Sequence, residues 1–291
     1  MPRLDVRKTY KLLIGGAFVR TESGRAYRAT SPSGEFLAHV PLGSRKDVRD
    51  AVKAARGAFG GWSGRTAYNR GQILYRAAEM LEERRVEFAA ALVRSAGASR
   101  AAAAREVAVA VDRLVHFAGW ADKIAAVLGS VNPVAAPYFD FSVPEPTGVV
   151  GIVAPEGPPL LPLVTRLAAV TVSGNTAVAI ASERTPIPAL LFGEVVGTSD
   201  IPSGVVNIVT GKKPELVPAL ASHRDVDALD DGSGDAALSK RIEEEAADRV
   251  RRIAHPKAVS PADWFSARAC EGIAAVEPFV EIKTTWHPAG A

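Results

Sequence analysis

One cysteine, Cys270, stands among 291 residues. A lone thiol excludes an internal disulfide framework and any zinc cage built on several cysteines of one chain. It fits a reducing compartment, for which the cytoplasm is the default expectation. Long apolar runs are lacking too. The richest stretch, Gly148 to Ala181, is broken by prolines and by Glu156, Arg166 and Asn175, so nothing approaches the ~18 consecutive apolar residues of a membrane-spanning helix. The run Leu12, Leu13, Ile14 is too brief for the core of a secretory signal. An excess of one charge is also absent: 35 basic and 32 acidic residues are spread along the chain, which argues against a nucleic-acid face. His39, His116, His255 and His287 have no partner at metal-ligand spacing, so no metal is expected. No G-x-G-x-x-G occurs to cradle a phosphate.

What is present is the composition of a folded globular protein, 47% hydrophobic and 23% charged. Residues 10 to 42 read as short extended pieces, with glycine pairs and Ser-Pro-Ser-Gly at the reversals. A helix follows from Ser44, with Val52, Ala55, Ala58 and Phe59 on one face, and is expected to end at Gly60-Gly61. A second runs from about Ala67 to Arg84 and leads into another through Leu92. The alanine-rich stretch Ser99 to Val127 reads as one long helix. Val131 to Pro146 reads as an extended connector.

The pattern then alternates. Gly148 to Ala154 is a buried strand, Pro162 to Gly174 a helix, NTAVAIA a strand, Pro188 to Gly197 a helix, and Gly204 to Gly211 a third strand. That order predicts an α/β fold, a doubly wound parallel sheet flanked by helices. Asp235 to about Ile253 reads as an amphipathic helix carrying Leu238, Ile242, Ala246 and Val250, and PFVEIKTTWHP near the end has the alternation of a strand.

The segments YKLLIGGAFV, AVKAARGAFGGWS, NRGQILYRAAEMLEER, PTGVVGIVAPEGPPLL, SGNTAVAIASERTPIPALL, IPSGVVNIVTG and HRDVDAL occur in the order found in the aldehyde dehydrogenase superfamily. The chain resembles a truncated member of it nearly end to end through Ala247. The resemblance implies a coenzyme-binding domain over residues 1–247, a short linker over 248–275 in place of the catalytic domain, and an oligomerisation strand over 276–291. It also implies an NAD(P)-dependent oxidoreductase ancestry, with the weak cofactor positions falling on Ser182, Glu183, Gly211, Gly232 and Ser233.

The same resemblance marks departures. The family's ribose-binding lysine falls in a segment that here reads Ile180, Ala181, Ser182, Glu183. Asp230 and Asp231 precede Gly232-Ser233, where two carboxylates would repel a pyrophosphate unless they point away. Pro155, Glu156, Gly157 stand where the family carries Pro-Trp-Asn, and a glutamate cannot supply the oxyanion donor, whose loss alone costs ~100 to 1000-fold. No nucleophile or general-base segment follows, and Cys270 reads as an ordinary structural cysteine. No catalytic residue is therefore expected, and no bound cofactor, with NAD or NADP as the exception to test. The function implied is a pseudoenzyme subunit that supports or regulates a full-length aldehyde dehydrogenase, or that self-associates, through the strand Phe279 to His287. The alternatives are a non-catalytic component of a heteromeric NAD-dependent aldehyde oxidoreductase whose partner supplies the reactive cysteine, and a stand-alone nucleotide-binding module.

Overall fold

The structure, a computed structural model, describes residues 8–249, 251–257 and 260–289. The chain opens with strands β1 (Leu12–Ile14) and β2 (Ala17–Val19), then a hairpin of β3 (Ala26–Thr30) and β4 (Phe36–Pro41). The hairpin reverses through residues 31–34, where Gly34 takes φ +84°, a left-handed conformation that residues with a Cβ rarely adopt. Helix α1 (Arg45–Ser63) begins at a capping box: the Ser44 hydroxyl accepts from the Lys46 and Asp47 amides while Asp47 accepts from the Ser44 amide at 2.8 Å. It runs through Gly60-Gly61 rather than stopping there, and Trp62 anchors its end by donating to the Thr171 carbonyl at 3.0 Å.

Helices α2 (Ala67–Glu83), α3 (Arg85–Ala96) and α4 (Arg100–Ala118) follow. The long helix read from the alanine-rich stretch breaks at Gly119, and its last part is the separate α5 (Ile124–Leu128). Residues 130–146, read as a connector, instead form strands β5 (Ser130–Asn132) and β6 (Tyr138–Pro146). The alternating units are β7 (Val149–Val153), α6 (Leu161–Val172), β8 (Thr176–Ile180), α7 (Ile187–Thr198), β9 (Val206–Val209), α8 (Lys213–Ala221), β10 (Ala228–Asp231), α9 (Ala236–Ala246) and β11 (Arg252–Ala254).

The main sheet has the order β11-β10-β7-β8-β9-β1-β2, with β7 to β11 parallel and β1 and β2 antiparallel at the far edge. The expected doubly wound sheet is thus present. Period-2 alternation feeds two layers: Val150, Ile152, Ala177 and Ala179 join the core beneath α2, α4, α6 and α7, while Val149, Val153, Val178 and Ile180 join the one beneath α1, α8 and α9. The winding reverses between β7 and β10, so their C-terminal ends flank a topological switch point, the place where open α/β sheets bind ligands.

All twelve residues of α6 are buried, Arg166 included. A guanidinium in that setting needs a counter-charge, and Asp230 on β10 provides it through Arg166 Nε. Burial keeps the Asp230 carboxyl above the usual carboxylate range even with Arg166 against it.

Arg252 and Ile253, read from sequence as the end of the C-terminal helix, lie instead in strand β11. The helix stops at Ala246, because Arg252–Ala254 pair in parallel with Ala228–Asp230 and extend the sheet. The expected contribution of Val250 lies outside the described residues. Beyond β11, the short helix α10 (Ala267–Cys270) and single turns at Asp263–Phe265, Ile273–Ala275 and Glu277–Phe279 fold onto the sheet's α4–α6 side. Trp264, Cys270, Val276 and Phe279 enter the main core there. Arg113 of α4 pairs with Glu271 and donates to the Trp264 carbonyl at 3.3 Å. Nε2 of His116 accepts from both Gly272 N and Trp120 Nε1 at 3.0 Å. Burial, helped by Arg113, depresses the His116 pKa and keeps this acceptor neutral.

The last strand, β12 (Val280–Pro288), pairs antiparallel with β6 over nine residues, giving a second sheet of order β12-β6-β5. The strand expected to reach a neighbouring subunit therefore spends one edge within its own chain. Its outer edge carries no strand among the described residues. No helix among the described residues is long and apolar enough to cross a membrane.

If residues 260–279 close the core, Phe279→Ala, which empties a fully buried site, should cost about 3–5 kcal/mol. A urea midpoint within error of wild type would show that this segment does not carry the packing described.

Candidate functional site

The crevice outside the C-terminal ends of β7, β8 and β10 is built from three loops: Ala154–Leu160 after β7, Ala181–Pro186 after β8, and Gly232–Asp235 after β10. Parallel strands and the helices that follow them present free backbone amides at such a rim, which suits anions. Here the anions are the chain's own.

Glu156 takes the central place. Its carboxylate accepts from Ser182 Oγ at 2.8 Å, from the Arg184 amide at 3.0 Å and from the Glu183 amide at 3.3 Å. Lys213, the first residue of α8, runs buried beneath the rim, donates to the Ala154 carbonyl at 2.5 Å and pairs with Glu156. Burial alone would raise the Glu156 carboxyl, but the Lys213 ammonium and the Arg184 and Ser182 donors overcome it and hold the carboxyl below its ordinary value. Glu183 is engaged as well, by Lys212 Nζ at 2.5 Å and by the Lys213 amide at 3.1 Å. The Tyr27 hydroxyl closes this side by donating to the Glu183 carbonyl at 3.3 Å. Burial, reinforced by Glu183 and Glu156, keeps that hydroxyl protonated well above its usual range.

The rim after β10 is filled in the same manner. Asp231 accepts from Ser233 N at 3.0 Å and Ser233 Oγ at 2.6 Å, and also from Ser239 Oγ. Asp235 caps α9, accepting from Ala237 N at 2.9 Å and Leu238 N at 3.1 Å. Asp230 and Asp231, adjacent on a strand, point to opposite faces: Asp230 goes to Arg166 and Asp231 to the α9 side. Gly232 donates its amide to Val153 O at 3.0 Å, and a Cβ there would lie 2.9 Å from that oxygen. Gly211 faces away from this cluster, where a Cβ would meet Leu216 and the backbone of Gly43 at 2.8–3.1 Å.

Of the five positions singled out in the sequence, Ser182 and Glu183 thus gather around Glu156, Gly232 and Ser233 gather around Asp231, and Gly211 serves packing. The groups that sequence reasoning missed are Lys212, Lys213, Asp235 and the role of Glu156 as an internal anion. Two successive lysines directly after Gly211, at the exit of a buried strand, were the available signal. Around this crevice the Ser182 hydroxyl, the Arg184 amide and the Lys213 ammonium are engaged by Glu156, and the Ser233 amide by Asp231.

Cys270 lies in the packed cover, its Sγ 3.4 Å from the Asp263 carbonyl. Burial raises its thiol pKa against the pull of Arg113 and Arg166, which opposes thiolate formation. Among the described residues no group of three His, Cys, Asp or Glu side chains could hold a metal ion.

Residues 18–255 match the model of the aldehyde dehydrogenase family. The chain is 32% identical over 249 residues to a putative aldehyde dehydrogenase, DhaS, of Bacillus subtilis, spanning 84% of this chain and 50% of the relative. It is 37% identical to a mitochondrial benzaldehyde dehydrogenase of Antirrhinum majus, spanning 75% of this chain and 41% of that one. Among solved structures, HpcC from Thermus thermophilus superposes with a TM-score of 0.82 at 30% identity, covering 86% of this chain and 48% of HpcC. An aldehyde dehydrogenase from Bacillus cereus in complex with NAD+ superposes with a TM-score of 0.80 at 30% identity, covering 86% and 51%. The chain spans 41–51% of the length of these relatives.

The Glu156 cluster has a pH signature. A carboxyl held below its unfolded value adds stability above the ordinary glutamate value, near pH 4.5, and loses it as the pH falls through the lower folded value. The urea midpoint of Glu156→Gln should therefore fall less than that of wild type between about pH 5 and pH 3. Parallel declines would mean that Glu156 is not held as an ion.

Proposed function

The chain belongs to the aldehyde dehydrogenase family, and we propose that within it this protein is a non-catalytic subunit that assembles with an active aldehyde dehydrogenase and supports or regulates it. The observation that carries this reading is the crevice at the switch point. Its anion positions are taken by Glu156, Asp231 and Asp235, and its lysine is bound to Glu156. A dinucleotide would have to displace a carboxylate whose charge is already compensated. The position that would feed an oxyanion donor into the crevice carries Gly157, which has no side chain, and the one cysteine is buried in the cover with a raised pKa. Chemistry on an aldehyde finds neither a nucleophile nor a stabiliser in these residues.

Assembly, in contrast, has material to work with. The sheet β12-β6-β5 is solvent-facing, with Val131, Phe139, Ile282 and Trp286 exposed, and the outer edge of β12 offers unpaired amides and carbonyls. A strand from a partner subunit would satisfy both.

Two measurements bear on the reading. The mass of native complexes recovered from the source cells through a tag on this chain should show a full-length aldehyde dehydrogenase in fixed ratio; recovery of a homo-oligomer alone would sink the partner. Calorimetric titration with NAD should give no saturable binding up to about 1 mM, where binding is worth only ~4 kcal/mol. Micromolar affinity would instead favour the heteromeric, NAD-binding component whose partner supplies the cysteine.

A further inference from the structure

A second concentration of charge lies away from the crevice, where residues 254–257 leave β11 and pass α10. They enclose a cavity of about 170 Å³ lined by Arg166, His255, Lys257 and Arg268, with one carboxylate, Glu271, in its wall. Glu271 is already paired with Arg113, and its second oxygen lies 3.6 Å from His116. His255 has Asp231 at 3.6 Å and Glu243 at 4.0 Å. Arg166, only 6% exposed, has five N–H donors. Nε goes to Asp230, and among the described residues no protein acceptor meets the two terminal nitrogens. Neither Lys257 nor Arg268 has an ion-pair partner among the described residues. The remaining wall is apolar and includes Ala269, Ala275 and Pro278.

Lys257 and Arg268, without ion-pair partners among the described residues, and the terminal nitrogens of Arg166 on one side, with methyl and ring carbons on the other, define a ligand with an anionic head and a short aliphatic body. Guanidinium forks match the two oxygens of a carboxylate better than an ammonium does. The volume falls below the ~300–1,000 Å³ of pockets that take drug-sized ligands, which excludes a nucleotide. We propose that this cavity binds a short-chain carboxylate, its carboxyl group held between Arg166 and Arg268 with Lys257 completing the charge, and its aliphatic body against Ala269, Ala275 and Pro278. The ligand would bridge α6 and α10, and so tie the cover to the sheet.

The full chain can be titrated calorimetrically with butyrate, and in parallel with inorganic phosphate, at constant chloride. Butyrate should bind saturably at one site. Arg268→Gln should weaken it about tenfold or more, as expected when one charge-assisted hydrogen bond is lost. Because Arg268 makes no ion pair among the described residues, the urea midpoint of that variant should stay at the wild-type value, and Lys257→Gln provides a second reading of the same loss. Saturable phosphate binding without butyrate binding would overturn the carboxylate assignment. Butyrate binding that neither variant weakens would place the ligand elsewhere, and absence of binding by both probes would overturn the site.

Discussion

Lys213 carries its ammonium from the first turn of α8 to the Ala154 carbonyl and the Glu156 carboxylate, and the whole rim of the sheet is arranged around that pairing. With the lysine neutralising it, Glu156 can sit among amides at the mouth of a parallel sheet and gather the loops after β7 and β8 into one network. The same solution recurs around the fold. Glu106 of α4 accepts from Leu160 N at 2.8 Å and Leu161 N at 3.1 Å, where α6 begins. Asp235 caps α9, and Asp231 holds the Ser233 amide. The free amides at the starts of α6, α8 and α9 and in the loops after β8 and β10 are thus answered by carboxylates of this chain. In a coenzyme-binding sheet some of those amides must stay available for phosphate oxygens; here their reorganisation would require breaking charge-assisted bonds.

Closure of the core follows from a second constraint. A helix buried over its full length, as α6 is, can exist only where both of its sides are covered. The sheet and helices α2 and α4 cover part of it, and Phe279, packed against Arg166 with the guanidinium 5.4 Å from its ring centroid, covers more. Asn175 locks this arrangement from a wholly buried position. Its Oδ1 accepts from the Gly148 amide at 2.7 Å, and its Nδ2 donates to the Phe279 carbonyl at 2.7 Å. The start of β7, the start of β8 and the entry to β12 are therefore held by one amide side chain. Residues 260–279 are few, but they carry Trp264, Val276 and Phe279 into the core.

The parts legible in the sequence were those in which burial and periodicity agree. The strands β7, β8 and β9 are wholly buried and mostly apolar, and their helices follow at once, so the parallel sheet could be read directly. β10 could not: its four residues, Ala-Leu-Asp-Asp, are all buried, yet two carry carboxyls whose acceptability depends on Arg166, 64 residues away, and on Ser239. α8 was hidden by Pro214 and Pro218, which argue locally against a helix. The far end of the predicted C-terminal helix became β11 because a free sheet edge outweighed local preference. At the crevice the sequence showed which family positions had changed, but not that the changed residues would bind one another. Glu156 and Lys213 are 57 positions apart, and no local pattern links them.

The terminal strand joins these two constraints to the question of assembly. Pairing of β12 with β6 over nine residues means that the strand is ordered before any partner arrives, so a partner would meet a preformed edge and the cost of ordering a free tail would not be charged to association. Trp286 stacks edge-on to Tyr138 at 5.8 Å, and Ser142 links Asn132 to Thr284 across the sheet, which fixes the register that this edge presents. The entry to β12 is tied through Phe279 to Asn175 and the start of the main sheet, so force or displacement at the edge is transmitted to the segment that covers α6. The β12 edge and the closure of the core are thus mechanically one unit in this chain, whereas the crevice around Glu156 is held by contacts of its own.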